Sequence, residues 1–463
     1  MMFQMRQAPI LEIGKRSRPL LLPERTMFRE GQTPFSSLFT IQISGKLEEG
    51  QIVCALASIQ NKHPLLRCVV QGRSFVLLKR PQPIPLRIVE RHSDDDWQRE
   101  VRREWCRPFH AAQDPLLRVV WLRASFAHEL LLVAHHCICD GQSGITLLRD
   151  LLAACDDPAH VATGSYDALG AIEDLVPQEL LHNPRFHREV RRKRRILRLV
   201  MFFRSLQPGR KPAPRVSAEQ MYFHRWLLDE ASTKRLTERA KAEGVTVLSA
   251  AGLALMQAFR DVRGAEGLRK TYAMVNARRY LPRLRSDALF GIVPGIELSV
   301  KGLSSTEQIS IDHYWSRARR LKNEIDRAVT RLGRQVYPYL VALEGLHDQY
   351  GQFVFDTDNA PAVRHLTISN LGKIELQQQY QGFRLEAVYS PLVMVSPTPA
   401  NTVVLSTFAG RMEFAIISDE FSLPHAHALA IQRRSMEILN TCVLLPGKKE
   451  SSLAGNSVAE QTT

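Results

Sequence analysis

The stretch Leu131–Asp150, LLVAHHCICDGQSGITLLRD, decides how this chain is read. It begins with a run of apolar residues, Leu131 to Ala134, of the kind that forms a buried strand. Beyond Asp140-Gly141, the residues Ile145, Leu148 and Leu152 recur at near-helical spacing, with Ser143 available as a cap. Two adjacent histidines, an acid and a glycine therefore fall at a strand-to-helix turn. Such a turn holds polar groups at the edge of a cavity on rigid supports.

Upstream, residues 1–34 form a lead-in containing Pro and Arg, and Ser36–Gly45 alternates well enough for a strand. Leu47, Ile52, Ala55, Leu56 and Ile59 mark one face of a helix that must end near His63-Pro64. Strands are expected at 67–71 and 74–79, and a helix over Asp94–Trp105 with Ser93 as its cap. Pro108-Phe109 precedes Asp114–Leu122, DPLLRVVWL, another strand. Taken singly, His63, Arg67 and Arg118 are ordinary loop and strand-edge residues.

Downstream, residues 161–215 are expected to be a linker. Its segment 185–204, RFHREVRRKRRILRLVMFFR, carries nine Lys or Arg against one Glu and ends in an apolar run. This is the pattern of a connecting helix with a solvated basic face and its apolar end tucked into the body, or of an amphipathic helix that meets a membrane surface or a carrier protein, with nucleic acid the remaining alternative. A second half then begins. Met221–Leu228 is strand-like, Glu230–Glu243 a polar-faced helix, and Val245–Phe259 a helix apolar nearly all round. Strands follow at Lys270–Asn276, Ile296–Val300, Leu366–Gly372, Leu385–Tyr389, Thr402–Phe408 and Arg411–Ser418, with helices at Ile309–Arg331 and Leu423–Leu439. The expected division is 1–160, 161–215, 216–446 and a disordered tail, 447–463.

Composition narrows the function classes. The 463 residues include 62 Lys+Arg against 47 Asp+Glu, a net charge of +15 that favours anionic partners. Nucleic acid is not expected, since zinc-finger spacing, an aromatic RNA-recognition motif and a phosphate loop are all missing from the sequence. Seven scattered cysteines suit a reducing compartment. The amino terminus offers no signal peptide, and no run of eighteen apolar residues occurs, so a cytoplasmic location is expected. Alternation would put His135, Cys137 and Cys139 on one strand face, but without a second ligand cluster no metal is expected. A hydrolase nucleophile is not expected either, because no G-x-S-x-G occurs and Cys137 and Cys139 sit in an apolar run.

His135-His136-x-x-x-Asp140-Gly141 resembles the HHxxxDG signature of a superfamily of acyltransferases. That superfamily includes chloramphenicol acetyltransferase, the condensation domains of nonribosomal peptide synthetases, plant BAHD acyltransferases and polyketide-associated acyltransferases. The order HPLLR (63–67), Pro-Phe, PLLR (115–118) and then the motif is similar to that of the condensation-type and polyketide-associated members. So are the 245–259 helix, Asn276-Ala277-Arg278 and Ser369-Asn370-Leu371-Gly372. The likeness spans residues 20–440. The DFGWG segment of the plant group is missing from the second half, which argues for the bacterial branches.

The resemblance implies an α/β fold of two chloramphenicol-acetyltransferase-like sandwich lobes, with the active-site tunnel between them. It implies an acyltransferase in which His136 is the general base and transfer is direct, within a ternary complex. The co-substrate would be acyl-CoA or an acyl-phosphopantetheine carrier protein, with no bound cofactor. The acceptor is expected to be a hydroxyl, because the SNLG segment leans towards the polyketide-associated branch. Asp140 either orients His136 or forms a buried ion pair, and the family favours the pair, with Arg278 as partner and Arg279 next. Gly141 would allow a close approach of backbone and substrate, and His135 would be structural. Ser369, Asn370 and Ser396 are candidates for stabilising the oxyanion. Two rivals remain: a stand-alone condensation domain forming an amide, and a non-catalytic docking module. Degenerate copies usually lose the second histidine or the Asp-Gly, and both are intact here.

Overall fold

A computed structural model describes residues 13–31, 35–157, 170–206, 216–303, 310–352, 354, 365–393 and 401–444. In the first half the order is β1 (Ile13–Pro19), α1 (Leu22–Phe28), β2 (Ser36–Gly45), α2 (Glu49–Lys62), β3 (Cys68–Gln71), β4 (Ser74–Leu78), β5 (Leu86–Glu90), α3 (Asp96–Trp105), β6 (Leu117–Arg123), β7 (Ala127–His135) and α4 (Gly141–Asp156). A short α5 (Gln178–Leu181) and the long α6 (Pro184–Ser205) lead to β8 (Met221–Leu228), α7 (Glu230–Ala242), α8 (Val247–Gly267), β9 (Lys270–Met274), β10 (Gly295–Leu298) and α9 (Ile311–Glu344). The chain closes with β11 (His365–Lys373), β12 (Phe383–Val388), β13 (Leu392–Val393), β14 (Asn401–Phe408), β15 (Arg411–Asp419) and α10 (His425–Leu439).

Two large sheets result. The first runs β12-β2-β7-β6-β5, with β13 also on β2, and the second runs β10-β9-β11-β14-β15-β8. In the first, β7 lies antiparallel between β2 and β6, which buries Leu130 to Ala134 on both faces. One face of that sheet, through Phe39, Ile41, Leu130 and Leu132, packs on α2 and α4. The other, through Leu38, Val120, Leu131 and Val133, meets Phe223, Val404, Ala415 and Ile417 of the second sheet together with Trp97 and Trp105 of α3. Helices α8 and α10 cover the far side of the second sheet, around Phe259, Ile368, Leu405 and Phe414. The order of layers is therefore helix, sheet, sheet, helix, and the expected two-lobed α/β sandwich is what the chain forms.

Several expectations need correcting. The second half does not keep to its own lobe: β12 and β13 pair antiparallel with β2, so residues 383–393 complete the first sheet. Helix α9 does not stop at Arg331 but runs on through Gly333 and Pro338 to Glu344. Packing outweighs the helix-breaking tendency there, since a Cβ at Gly333 would sit 2.4 Å from the Tyr280 ring and Val336, Leu340 and Leu343 are buried. Within the lead-in, β1 pairs with β4 and α1 follows it. Ser93 does not cap α3; its backbone N–H and hydroxyl both go to the Asp96 carboxylate instead. Helix α6 does form over the basic run, but its apolar end is not tucked away, since Phe202 and Phe203 stand exposed. Parts of the linker and the tail 447–463 lie outside the described residues.

Candidate active site

Strand β7 ends at His135, and the chain then turns sharply. The N–H of Ile138 donates to the His135 carbonyl at 3.1 Å, and that of Cys139 to the His136 carbonyl at 3.3 Å. This turn breaks the strand alternation from which a His135, Cys137 and Cys139 face was expected. Among the described residues no three His, Cys, Asp or Glu side chains gather as metal ligands. Burial pushes the thiols of Cys137 and Cys139 well above the ordinary range, which suits packing and not nucleophilic attack.

The two histidines have different surroundings. The His135 ring is enclosed, lying 5.8 Å from the Phe28 ring and 5.5 Å from that of Phe109, and its Nδ1 accepts the Cys137 N–H at 3.2 Å. Burial first, then His136 and Arg118, brings its pKa down to about 3, so the ring is neutral. His136 is half-buried, with its backbone N–H donating to the Phe35 carbonyl at 2.7 Å and the Phe35 ring 5.4 Å away. Its pKa is also lowered, mainly by burial, against the opposing pull of its own carbonyl, the Asp140 carboxylate and the Cys139 backbone. Nδ1 is buried without a hydrogen bond of good geometry. Of the two ring nitrogens, Nδ1 is the one shown enclosed. A neutral imidazole held this way accepts a proton near neutral pH.

Asp140 is the cap of α4, accepting the Ser143 N–H at 2.7 Å, so the cap is not Ser143 as expected. The same carboxylate faces Arg278, with Nη2 to Oδ1 at 3.0 Å and Nε to Oδ2 at 3.4 Å. Both side chains are buried. Arg278 sits in the turn after β9, and its Nη1 donates to the Ala288 carbonyl at 2.7 Å. Among the described residues Asp140 makes no hydrogen bond to His136. Arg279 is exposed and lies over the Tyr280 ring, so Arg278 is the partner.

Ser143 turns out to be a hub. Its hydroxyl donates to the Phe290 carbonyl at 3.1 Å and accepts from the Phe290 N–H at 2.9 Å and from Arg278 at 2.8 Å. The Asp140 N–H also donates to the Phe290 carbonyl, at 3.0 Å. Phe290-Gly291, from the second half, thereby clamps the motif. A Cβ on Gly291 would lie 2.5 Å from the Cys137 carbonyl oxygen and 2.6 Å from that of His136. At Gly141 a Cβ would meet only the Leu371 side chain, at 3.4 Å. The neighbour of the motif glycine is thus the SNLG segment of the other lobe.

The remaining candidates are less directly placed. Ser369 and Asn370 are half-buried in β11, and Asn370 Oδ1 accepts the Gly372 N–H at 3.0 Å, which leaves its Nδ2 as the donor. Ser396 lies outside the described residues. His63 is no loop residue. Its ring is buried at the end of α2, with Nε2 2.7 Å from Asp150 on α4. Arg118 is likewise buried, paired with Glu104 and stacked 4.1 Å over Phe109, the ring that covers His135. Read singly it is a strand-edge arginine, and only the PLLR resemblance marks it out.

Beside the clamp lies an apolar cavity of about 240 Å³, lined by Leu22 and Met27 of α1, by Phe290 and Ile292, and by Leu340 and Leu343 of α9. The α1 segment is fixed there by the Leu22 N–H donating to Glu344 at 2.8 Å and by the buried Arg18–Glu24 pair at 2.6 Å. An apolar group held against Phe290 would sit next to the turn that carries His136.

Residues 26–162 match the family model of the condensation domain. Among curated proteins, the cyclosporin synthetase of Tolypocladium inflatum is 30% identical over 121 residues, which is 24% of this chain and 1% of that protein. The chain thus corresponds to a small part of the length of such relatives. Among solved structures, the trichothecene 15-O-acetyltransferase of Fusarium sporotrichioides superimposes with a TM-score of 0.70 at 11% identity, covering 95% of this chain and 99% of that one. The polyketide synthase associated protein 5 of Mycobacterium tuberculosis gives a TM-score of 0.60 at 14% identity, covering 91% and 98%. Likeness at these identities speaks to the fold.

Proposed function

We propose that this chain, whose two lobes carry the condensation-domain and chloramphenicol-acetyltransferase-like fold, moves an acyl group from a phosphopantetheine thioester to a hydroxyl acceptor. The donor is acyl-CoA or an acyl-carrier protein, and the net charge of +15 suits either anionic partner. His136 Nε2 takes the acceptor's proton as its oxygen attacks the thioester carbonyl carbon. The tetrahedral oxyanion collapses, the C–S bond breaks, and the departing sulfur recovers the proton from His136. Asp140 and Arg278 hold the turn and take no part in proton transfer. Ser369 and Asn370 of β11 are the candidates for stabilising the oxyanion.

The observation that carries this reading is the state of His136. It is a neutral, half-buried imidazole with Nδ1 enclosed, on a turn clamped from the opposite lobe. The test is thiol release by the purified protein with a panel of acyl-CoA donors, alcohols and amines. Positioned base catalysis contributes about 100- to 10,000-fold, so His136→Ala should lower turnover by that factor. Release that needs no acceptor, or that survives in the alanine variant, would overturn the direct-transfer mechanism. Amide formation is the second reading, favoured by the condensation-domain match over residues 26–162. Amines outperforming alcohols in the same panel would establish it.

A further inference from the structure

Helix α6 lies along the second half of α9. Phe186, Val190, Leu197 and Met201 face inward, against Ala342, Leu343 and Leu346. Arg198 fastens it to Asp348 at 2.9 Å and to the Gly345 carbonyl at 3.2 Å. The opposite face is a stripe at steps of three and four residues: Arg188, Arg192 and Arg195, then Leu199, Phe202 and Phe203, then Leu206. From Arg188 to Phe203 it spans about 22 Å. The three arginines are exposed and make no ion pair among the described residues. Leu199 is 55% exposed, Phe202 55%, Phe203 63% and Leu206 59%. Of the twelve large apolar side chains exposed among the described residues, six lie between Ile196 and Leu206. They form a patch, not the usual scatter.

We infer that α6 docks this protein on an anionic lipid bilayer. The apolar end projects from the helix as a knob, with the arginines in line behind it on the same face. A fluid interface can envelop such a knob while the long arginine side chains reach the phosphates above it. A folded partner would need a matching groove, and the convex stripe suits a surface that deforms around it. The inward face of α6 shares Leu22 and Leu343 with the apolar cavity beside the motif. Docking therefore sets that cavity one helix away from the bilayer, where an apolar substrate would be dissolved.

The test is co-sedimentation of the full chain with vesicles of phosphatidylcholine and phosphatidylglycerol, and with phosphatidylcholine alone, at low and high salt. The chain should bind the anionic vesicles and release as salt rises. L199D/F203D should bind at least tenfold more weakly with its melting temperature unchanged, both positions being exposed. R188Q/R192Q/R195Q should lose about fivefold per charge, from about 1 kcal/mol for each arginine near the surface. Failure of the wild type to sediment with anionic vesicles would overturn the proposal. So would wild-type binding by L199D/F203D, since the contact would then be the bulk attraction of a basic protein. If an acidic carrier protein binds this stripe while vesicles do not, the surface belongs to that carrier. None of these outcomes depends on the acyl-transfer reading.

Discussion

Asparagine at position 140 should lower the stability of the protein by about 3–5 kcal/mol, the usual effect of leaving one member of a buried ion pair without its partner. The substitution is nearly isosteric, and its Oδ1 can still accept the Ser143 N–H, so the cap of α4 survives. What disappears is the negative charge held 3.0 Å and 3.4 Å from the Arg278 guanidinium. Both side chains are no more than 7% exposed, and water cannot take the place of the carboxylate. Asp140→Ala should be worse by about 1 kcal/mol, because the cap is lost as well. Arg278→Gln should be comparable to Asp140→Asn, and the double variant should recover part of the loss by removing both charges. Denaturant unfolding of the four proteins, closed as a double-mutant cycle, measures the coupling. If Asp140 instead orients His136 in a hydrolase-like triad, Asp140→Asn will reduce turnover at an unchanged unfolding midpoint. The coupling with Arg278 will then fall below about 0.5 kcal/mol. That pair of results would refute the ion-pair assignment.

The glycines of the site should separate by what surrounds them. Gly291→Ala drives a Cβ into two backbone carbonyls and Gly144→Ala drives one to 1.9 Å from the Phe39 ring, so each should lose at least about 1–3 kcal/mol. Gly141→Ala, meeting only the mobile end of Leu371, should unfold within about 1 kcal/mol of the wild type; equal damage from all three in denaturant titrations would contradict the packing. The enclosed His135, with a folded-state pKa of about 3, makes stability depend on pH. Below about 6.5 the unfolded chain binds a proton that the folded one refuses, so stability should fall with pH by up to about 1.4 kcal/mol per unit. Urea midpoints from pH 7.5 to 5 would show this slope, and His135→Gln should reduce it, the buried His136 supplying part of the remainder; a flat wild-type profile would mean the ring protonates in the folded state. Leu340→Trp should fill the apolar cavity and depress kcat/KM for bulky apolar substrates while sparing the smallest ones. An unchanged ranking across a series of acyl donors and alcohols would remove that cavity from the substrate path.

The parts of this protein that are legible in its sequence are those in which each residue's neighbours are close along the chain. The strand-turn-helix around His136 declares itself by a change of apolar period. The helices α2 and α4 follow in the same way, because an apolar face recurs along each and Pro or Gly marks the ends. Arg278 was reachable as well, through the Asn-Ala-Arg segment, although periodicity alone would have left it an arginine in a turn. The clamp around the motif leaves no such trace. Ser143 reads as an N-terminal helix residue, yet its hydroxyl takes three contacts, all from the other lobe. Gly291 reads as a loop glycine and is required by two carbonyls from the opposite half. Residues 383–393 have a strand pattern, but nothing in that pattern says their hydrogen bonds go to β2 and not to their own sheet. Apolar period reports that a face is buried and is silent about what buries it. A site built at the meeting of two lobes rests on that second question, so the His-His motif could be read directly while its supports needed three-dimensional contacts. The same division explains α6. Its sequence offered both a tucked and an exposed apolar end, and only the packing of Leu197 and Met201 on α9, with Phe202 and Phe203 turned outward, decides between them.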